Sequence, residues 1–386
     1  MNVKYPNLLI VFVIFSLFHN IYISIFISIF DYNSTPFAVI FKTIIILIGL
    51  IMIVSRKIVF TKELFFIFSM FIISFLVISI NLILNPYYIL WDIFYYVGYT
   101  FFIIIFITVV IGGYKNTVNL DYLIFYNLLV IGILSLFLGE IVNHRLQLKS
   151  LNPITVGSFG GFLFLISLWN ILFLKLNETV RLKFILSILG ILIGSYILYA
   201  SGSRGPLLGS FLAILFFFYN YYFNKFQKFL KYVIILLFII SPIFLFYLSI
   251  NIPDLKVFTQ RDIGLRGYFY LSFYEGLINN PIFPTIHPRM IIEWMHSIFL
   301  AIYAGSGIFG FVIFCYMIVS ILKDLSFLIK NKDENCWISL FFIQILIVST
   351  FSGALIDANF WIVFSLTIAY LKKYKKTVVK NVNKTS

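Results

Sequence analysis

Three short segments of this chain carry the residue types that an anion-handling site needs. The first is Ser201-Gly-Ser-Arg-Gly-Pro206, a polar turn between two apolar runs. Pro206 suits the first turn of a helix, and Ser203 is placed to cap it. The free N–H groups of a helix start already form a positive pole. Arg204 adds positive charge where the dipole disfavours it, an arrangement that makes sense with a phosphate to bind. The bland alternative is a tight interhelical turn whose arginine reaches lipid phosphates along its aliphatic stem.

The second segment is Thr259-Gln-Arg-Asp-Ile-Gly-Leu-Arg-Gly267, with Arg261 and Arg266. Two guanidinium groups can clamp the oxygens of a diphosphate through forked hydrogen bonds, which lysine does less well. Asp262 could instead hold one of them in an ordinary ion pair. The third is Glu293-Trp-Met-His296-Ser-Ile-Phe-Leu300, followed by Gly305, Gly307 and Gly310. Neutral imidazole at His296 can orient a hydroxyl or accept its proton, with Glu293 beside it as a substrate contact. The glycines suit close approach of another helix or a lipid tail. A fourth, weaker segment runs from Arg145 through Asn152-Pro153 to Gly157, an Asn-Pro turn with an arginine upstream that could join the same pocket. No Asp-x-Asp or adjacent acidic pair for a metal–diphosphate site occurs in the segments placed outside, and zinc-type Cys/His spacing and a phosphate-binding Walker loop are missing from the sequence, so no metal or cofactor is expected.

These segments must be positioned by membrane helices. The chain has 386 residues, 62% of them hydrophobic, with a mean hydropathy of +1.06. Runs of about 20 apolar residues cross a bilayer as helices. Roughly twelve are predicted: 8–30, 37–54, 64–84, 88–111, 120–142, 154–174, 183–200, 206–222, 230–250, 297–322, 336–355 and 359–371. Continuous rather than alternating apolarity excludes a barrel. The first run is too long for a signal peptide and reads as a retained anchor. The whole of 1–386 is expected to be one integral membrane domain, with a long outer loop at 251–295 and a basic tail at 372–386. That loop has an apolar-aromatic stretch from Tyr268 to Ile278 that could lie along the interface. No internal repeat is visible.

With the N-terminus inside, alternation puts most lysines in the cytoplasm, as the positive-inside rule requires. Five of the seven arginines (Arg145, Arg204, Arg261, Arg266 and Arg289) fall outside. Both termini are then cytoplasmic. The net charge of +14 forms a collar facing anionic lipid and calls for no nucleic-acid partner.

Taken in order, the Ser201–Pro206 turn, the arginine-opened long loop, and His296 with Leu300 and the Gly305–Gly310 helix resemble the O-antigen polymerase/ligase superfamily. Its members are the Wzy-type polysaccharide polymerases and WaaL-type ligases. The motifs span roughly 140–320; the rest is similar only in hydropathy. The resemblance implies an all-α GT-C-type glycosyltransferase of the bacterial inner membrane. It would be metal-independent and act on glycans carried by undecaprenyl diphosphate, alongside a flippase and a chain-length regulator. Arg204 and Arg266 would hold the diphosphate, and His296 would activate the acceptor hydroxyl. Where the family usually has His-Asn, this chain has His296-Ser297. A ligase that passes glycan to lipid A–core or another acceptor carries the same motifs, and a flippase of lipid-linked sugars is the alternative from another class.

Overall fold

The computed structural model describes residues 6–30, 34–54, 64–69, 72–74, 76, 101–113, 120–149, 151–173, 180–222, 274–280, 282, 297–353 and 357–385. Within them the chain is a bundle of apolar helices. These are α1 (Pro6–Phe30), α2 (Ser34–Val54), α3 (Phe101–Gly113), α4 (Asp121–Leu138), α5 (Pro153–Phe173), α6 (Val180–Ala200), α7 (Arg204–Tyr221), α8 (Ile298–Lys330), α9 (Trp337–Ser352) and α10 (Ala358–Thr385). Five helical segments among the described residues are long and apolar enough to cross a membrane: Leu9–Phe30, Asp121–Leu138, Pro153–Phe173, Leu182–Ala200 and Ile298–Lys330. The predicted run 230–250 and most of the predicted loop 251–295 lie outside the described residues; within that loop, 274–279 are helical.

α5 is the hub, touching α4, α6, α7 and α9, while its Phe159 ring meets Phe18 of α1. Hydrophobicity cannot distinguish a helix neighbour from lipid, so close packing must do so, and small residues allow it. Three Gly-x-x-x-Gly pairs serve here: Gly157/Gly161 on α5, Gly190/Gly194 on α6 and Gly205/Gly209 on α7. A Cβ on Gly194 would lie 2.8 Å from the Gly160 carbonyl, and one on Gly209 would lie 2.7 Å from the Gln344 carbonyl. Gly205 faces Val348 and Ser352, while Gly209, a turn further on, faces Gln344. α7 and α9 therefore run antiparallel. The Gln344 amide donates to the Ser158 carbonyl (3.1 Å), pinning α9 to α5. Buried hydroxyls at Ser135, Ser210, Ser306 and Ser365 donate to carbonyls four residues back, so no polar atom there needs water.

Two features depart from the expected all-helical, singly spanning pattern. A β-hairpin lies between α4 and α5, pairing β1 (Glu140–Val142) with β2 (Arg145–Gln147). Its two-residue turn, Asn143-His144, has φ of 51° and 60°, the positive values that match strand twist in a tight hairpin. Leu146 and Leu148 are buried and anchor it to the bundle.

The second departure corrects the predicted single span 297–322. α8 reverses at Gly307, whose φ of 65° and ψ of −171° are not helical. Tyr303 meets Phe311 at 5.5 Å and Phe299 meets Phe314 at 5.3 Å between ring centroids. Both pairs are centred on the bend, so Ile298–Ser306 folds back against the long arm Ile308–Lys330. At about 1.5 Å per residue the long arm alone is about 34 Å, enough to span. The short arm is buried inside the bundle, with Ile298, Ala301, Ile302 and Ala304 fully enclosed. A glycine was legible there in sequence, but a reversal needs partners on both arms.

Candidate functional site

The bundle has two polar ends. At one end the α4–α5 connection reaches the α6–α7 turn, and Ser24 of α1 donates its hydroxyl to the Lys149 carbonyl. At the other, Leu120 N–H donates to the Tyr370 hydroxyl, the Lys183 ammonium sits 3.4 Å from the Tyr122 ring centroid, and Asn331 donates to Tyr374. The segregation groups Arg145 with Arg204, and Lys183 with the Asn331 turn.

Arg145 is the first residue after the hairpin turn, and its side chain crosses to the α6–α7 connection. Its Nε donates to the Ser201 carbonyl at 3.1 Å, and one Nη donates to the Gly202 carbonyl at 3.4 Å and to Ser203 Oγ at 3.0 Å. A cation at the carbonyl-rich end of α6 is favoured by the helix dipole. Gly202 has φ of 56°, and a Cβ there would meet Arg145 Cγ at 3.2 Å. Glycine thus serves both the left-handed turn and the passage of the arginine stem.

The predicted cap takes a different form. Ser203 occupies the cap position of α7 with extended backbone (φ −99°, ψ 113°), yet its side chain caps no N–H. Instead Ser203 Oγ donates to the Ser201 carbonyl (3.3 Å) and accepts from Arg145. The arginine competes for the hydroxyl and wins because a charge-assisted bond is stronger than a neutral one. Arg204 begins α7 and is half-buried beside the 201–203 turn. Behind it, a Cβ on Gly157 would touch the Ser201 hydroxyl at 2.5 Å, so α5 backs the turn tightly. Asn152 caps α5, its Oδ1 accepting from Thr155 N–H (2.9 Å) and Thr155 Oγ1 (3.0 Å), with Pro153 at the first helical position. The Asn-Pro motif is therefore a helix start.

The structure brings together Arg145, Ser203 and Arg204. His296, Arg261, Arg266 and Glu293 lie outside the described residues. Ser297, which follows His296, is buried and precedes the short arm of α8. His19 is buried in α1 with Nδ1 2.8 Å from the Ser16 carbonyl.

One group at the arginine end was missed in the sequence. Asp357 sits between α9 and α10, and its carboxylate accepts from Ser349 Oγ (2.9 Å) and from Phe360 N–H (3.3 Å). Burial raises its carboxyl above the ordinary range, opposed by those hydrogen bonds. The helix carrying Ser349 also carries Ser352, which faces Gly205 beside Arg204. The available signal was an acidic residue three positions before an aromatic at a helix start, which reads as a cap.

No family model, no curated protein and no solved structure matches the chain. Fold and composition define its class as a helical membrane protein with several apolar helices.

Proposed function

We propose that the protein is a polysaccharide polymerase that transfers undecaprenyl-diphosphate-linked glycan onto a second lipid-linked glycan at the outer leaflet of the bacterial inner membrane. The observation that carries this reading is the assembly of Arg145 and Arg204 around one turn at one end of the bundle. Two guanidinium groups at a helix start, bordered by low-dielectric lipid, suit a diphosphate leaving group whose negative charge grows as the glycosidic bond breaks. In this reading Arg204 contacts the diphosphate and Arg145 holds the turn. Arg266 and Arg261 supply the second clamp, Glu293 orients sugar, and His296 accepts the proton of the attacking hydroxyl. The full architecture would have about twelve spans of GT-C type with both termini cytoplasmic, working beside a flippase and a chain-length regulator.

A ligase would use the same residues and differ in its acceptor. A flippase draws support from the reversed helix at Gly307, since broken helices also line transport pathways. Purified protein in liposomes with lipid-linked repeat units separates the three. New glycosidic bonds between repeats support the polymerase, transfer only to a supplied lipid A–core acceptor supports the ligase, and translocation without bond formation overturns both. Arg204→Ala and His296→Ala should each abolish elongation at unchanged protein abundance. Arg204→Lys should also be impaired, because an ammonium makes no forked contact. Full elongation by either alanine variant removes that residue from the site.

A further inference from the structure

The short arm of α8 starts inside the bundle, and the proposed reaction makes no use of that start. Ile298–Ser306 is nine residues long and folds back from Gly307 along the long arm. Its depth follows from the rings. Phe299 meets Phe314, and Phe314 in turn meets Phe360 and Trp361 of α10, at 6.0 and 6.2 Å between centroids. Ser297 stands ten residues before the bend, so it lies about 15 Å along the long arm from Gly307. That is nearly halfway down an arm of about 34 Å. Asp357, one turn before Trp361, already lies at the arginine end. The short arm therefore begins deeper in the bundle than the Ser201–Pro206 turn.

A helix start leaves several N–H groups that need acceptors. Here the first intrahelical bond runs from Ala301 N–H to the Ser297 carbonyl at 2.9 Å. The N–H groups of Ile298, Phe299 and Leu300 precede it, and no acceptor among the described residues takes them. Ser297 occupies the cap position with extended backbone (φ −153°, ψ 120°), yet its hydroxyl caps none of the three. Whereas Arg145 holds the Ser203 hydroxyl, Ser297 Oγ has no hydrogen-bond partner among the described residues, although the residue is only 7% exposed. Ile298, Ala301 and Ile302 after it are fully enclosed. Unmet donors in an apolar interior are costly. The positive end of the arm's dipole lies at the same point.

We propose that this start is a second anion site, holding one phosphate group through the three N–H groups and the Ser297 hydroxyl, independently of Arg204. Four donors at a helix start suit a tetrahedral oxyanion with three terminal oxygens better than a carboxylate with two. Water would meet the donors but, being neutral, would gain nothing from the dipole. Broken helices that start at mid-depth hold anionic ligand groups in this way in other membrane proteins. A lipid headgroup and free inorganic phosphate offer the same chemistry.

The test measures radiolabelled inorganic phosphate on the purified full chain by equilibrium dialysis and, in a parallel arm, dioleoyl-phosphatidate by native mass spectrometry. Every protein carries Arg204→Ala, which removes the anion contact of the proposed reaction and leaves this site. In that background Ser297→Ala should weaken binding about tenfold or more, the loss of one hydrogen bond to a charged group. Ser297→Asp places a carboxylate at a favoured cap position and should abolish binding. Ser306→Ala, at the far end of the arm where the hydroxyl returns to the Ile302 carbonyl, should bind like its parent. This pattern with inorganic phosphate supports a free anion as occupant; the same pattern with phosphatidate alone supports a headgroup. No binding of either probe by the Arg204→Ala parent overturns the proposal and leaves the polymerase reading to the elongation assay. So does binding that either Ser297 variant leaves undiminished.

Discussion

Phe299 and Phe314 stand fifteen positions apart along α8, yet their rings meet edge-on at 5.3 Å. A straight helix would separate them by about 22 Å, so the contact exists only because the backbone turns back at Gly307. The bend also brings Ile308 N–H to the Ile282 carbonyl at 3.0 Å, joining the helix to the preceding loop.

Gly307→Ala tests that bend. With φ of 65° and ψ of −171°, the position lies in a region essentially closed to residues with a Cβ, at a cost of about 1–3 kcal/mol. The variant should melt several degrees lower in detergent, while Gly205→Ala, where a Cβ meets only Val348 Cα at 3.8 Å and Ser352 Oγ at 4.0 Å, should melt near wild type. Equal melting of Gly307→Ala and wild type would show that the reversal does not persist in the purified protein.

The antiparallel α7–α9 contact makes a paired forecast. Gly209→Ala pushes a methyl to 2.7 Å from the Gln344 backbone carbonyl, which cannot step aside as a side chain can. Forced overpacking costs about 1–3 kcal/mol, so Gly209→Ala should destabilise far more than Gly205→Ala four residues away. The comparison needs only thermal melts of the two variants, and equal melts would refute the register.

Arg145 should behave as a positioning residue. With Cys315 and Cys336 replaced by serine, a cysteine at position 203 should react slowly with a thiol reagent, because Ser203 is buried. Adding Arg145→Ala should speed the reaction at least tenfold by opening the turn. Arg145→Lys keeps charge but cannot bridge Ser201, Gly202 and Ser203 together. In the polymerisation assay it should lower kcat about tenfold or more with little change in KM; normal kcat would leave Arg145 as a structural brace alone.

Asp357 gives a pH signature. Burial raises its carboxyl above the unfolded value of 3.8, so the folded state holds the proton more tightly than the unfolded chain. Its favourable contribution is complete below 3.8 and is lost as pH rises through the folded value. Asp357→Asn keeps a capping oxygen but does not titrate. Melting measured from pH 3.5 upward should show wild type falling relative to the variant, and parallel curves would contradict the assignment.

Much of the architecture was readable from composition because the bilayer demands it: apolar runs must be helical where no water can satisfy the backbone. α1, α4, α5 and α6 match predicted spans for that reason. The three Gly-x-x-x-Gly pairs were equally visible, although which helix each one faces depends on packing. The Ser201–Pro206 turn was recognisable by residue type, since Gly, Ser and Pro each restrict the backbone locally.

What the linear order left open were the non-local choices. Whether Ser203 would cap α7 or bond Arg145 depended on a residue fifty-eight positions earlier, brought near by a hairpin whose turn residues, Asn143 and His144, carry no apolar pattern. Whether Gly307 would sit within a helix or reverse it depended on Phe299 finding Phe314. Hydropathy records how much apolar surface a segment must hide. Only the folded bundle decides against what it is hidden, because a helix face gains as much from lipid as from a neighbour until side chains interlock.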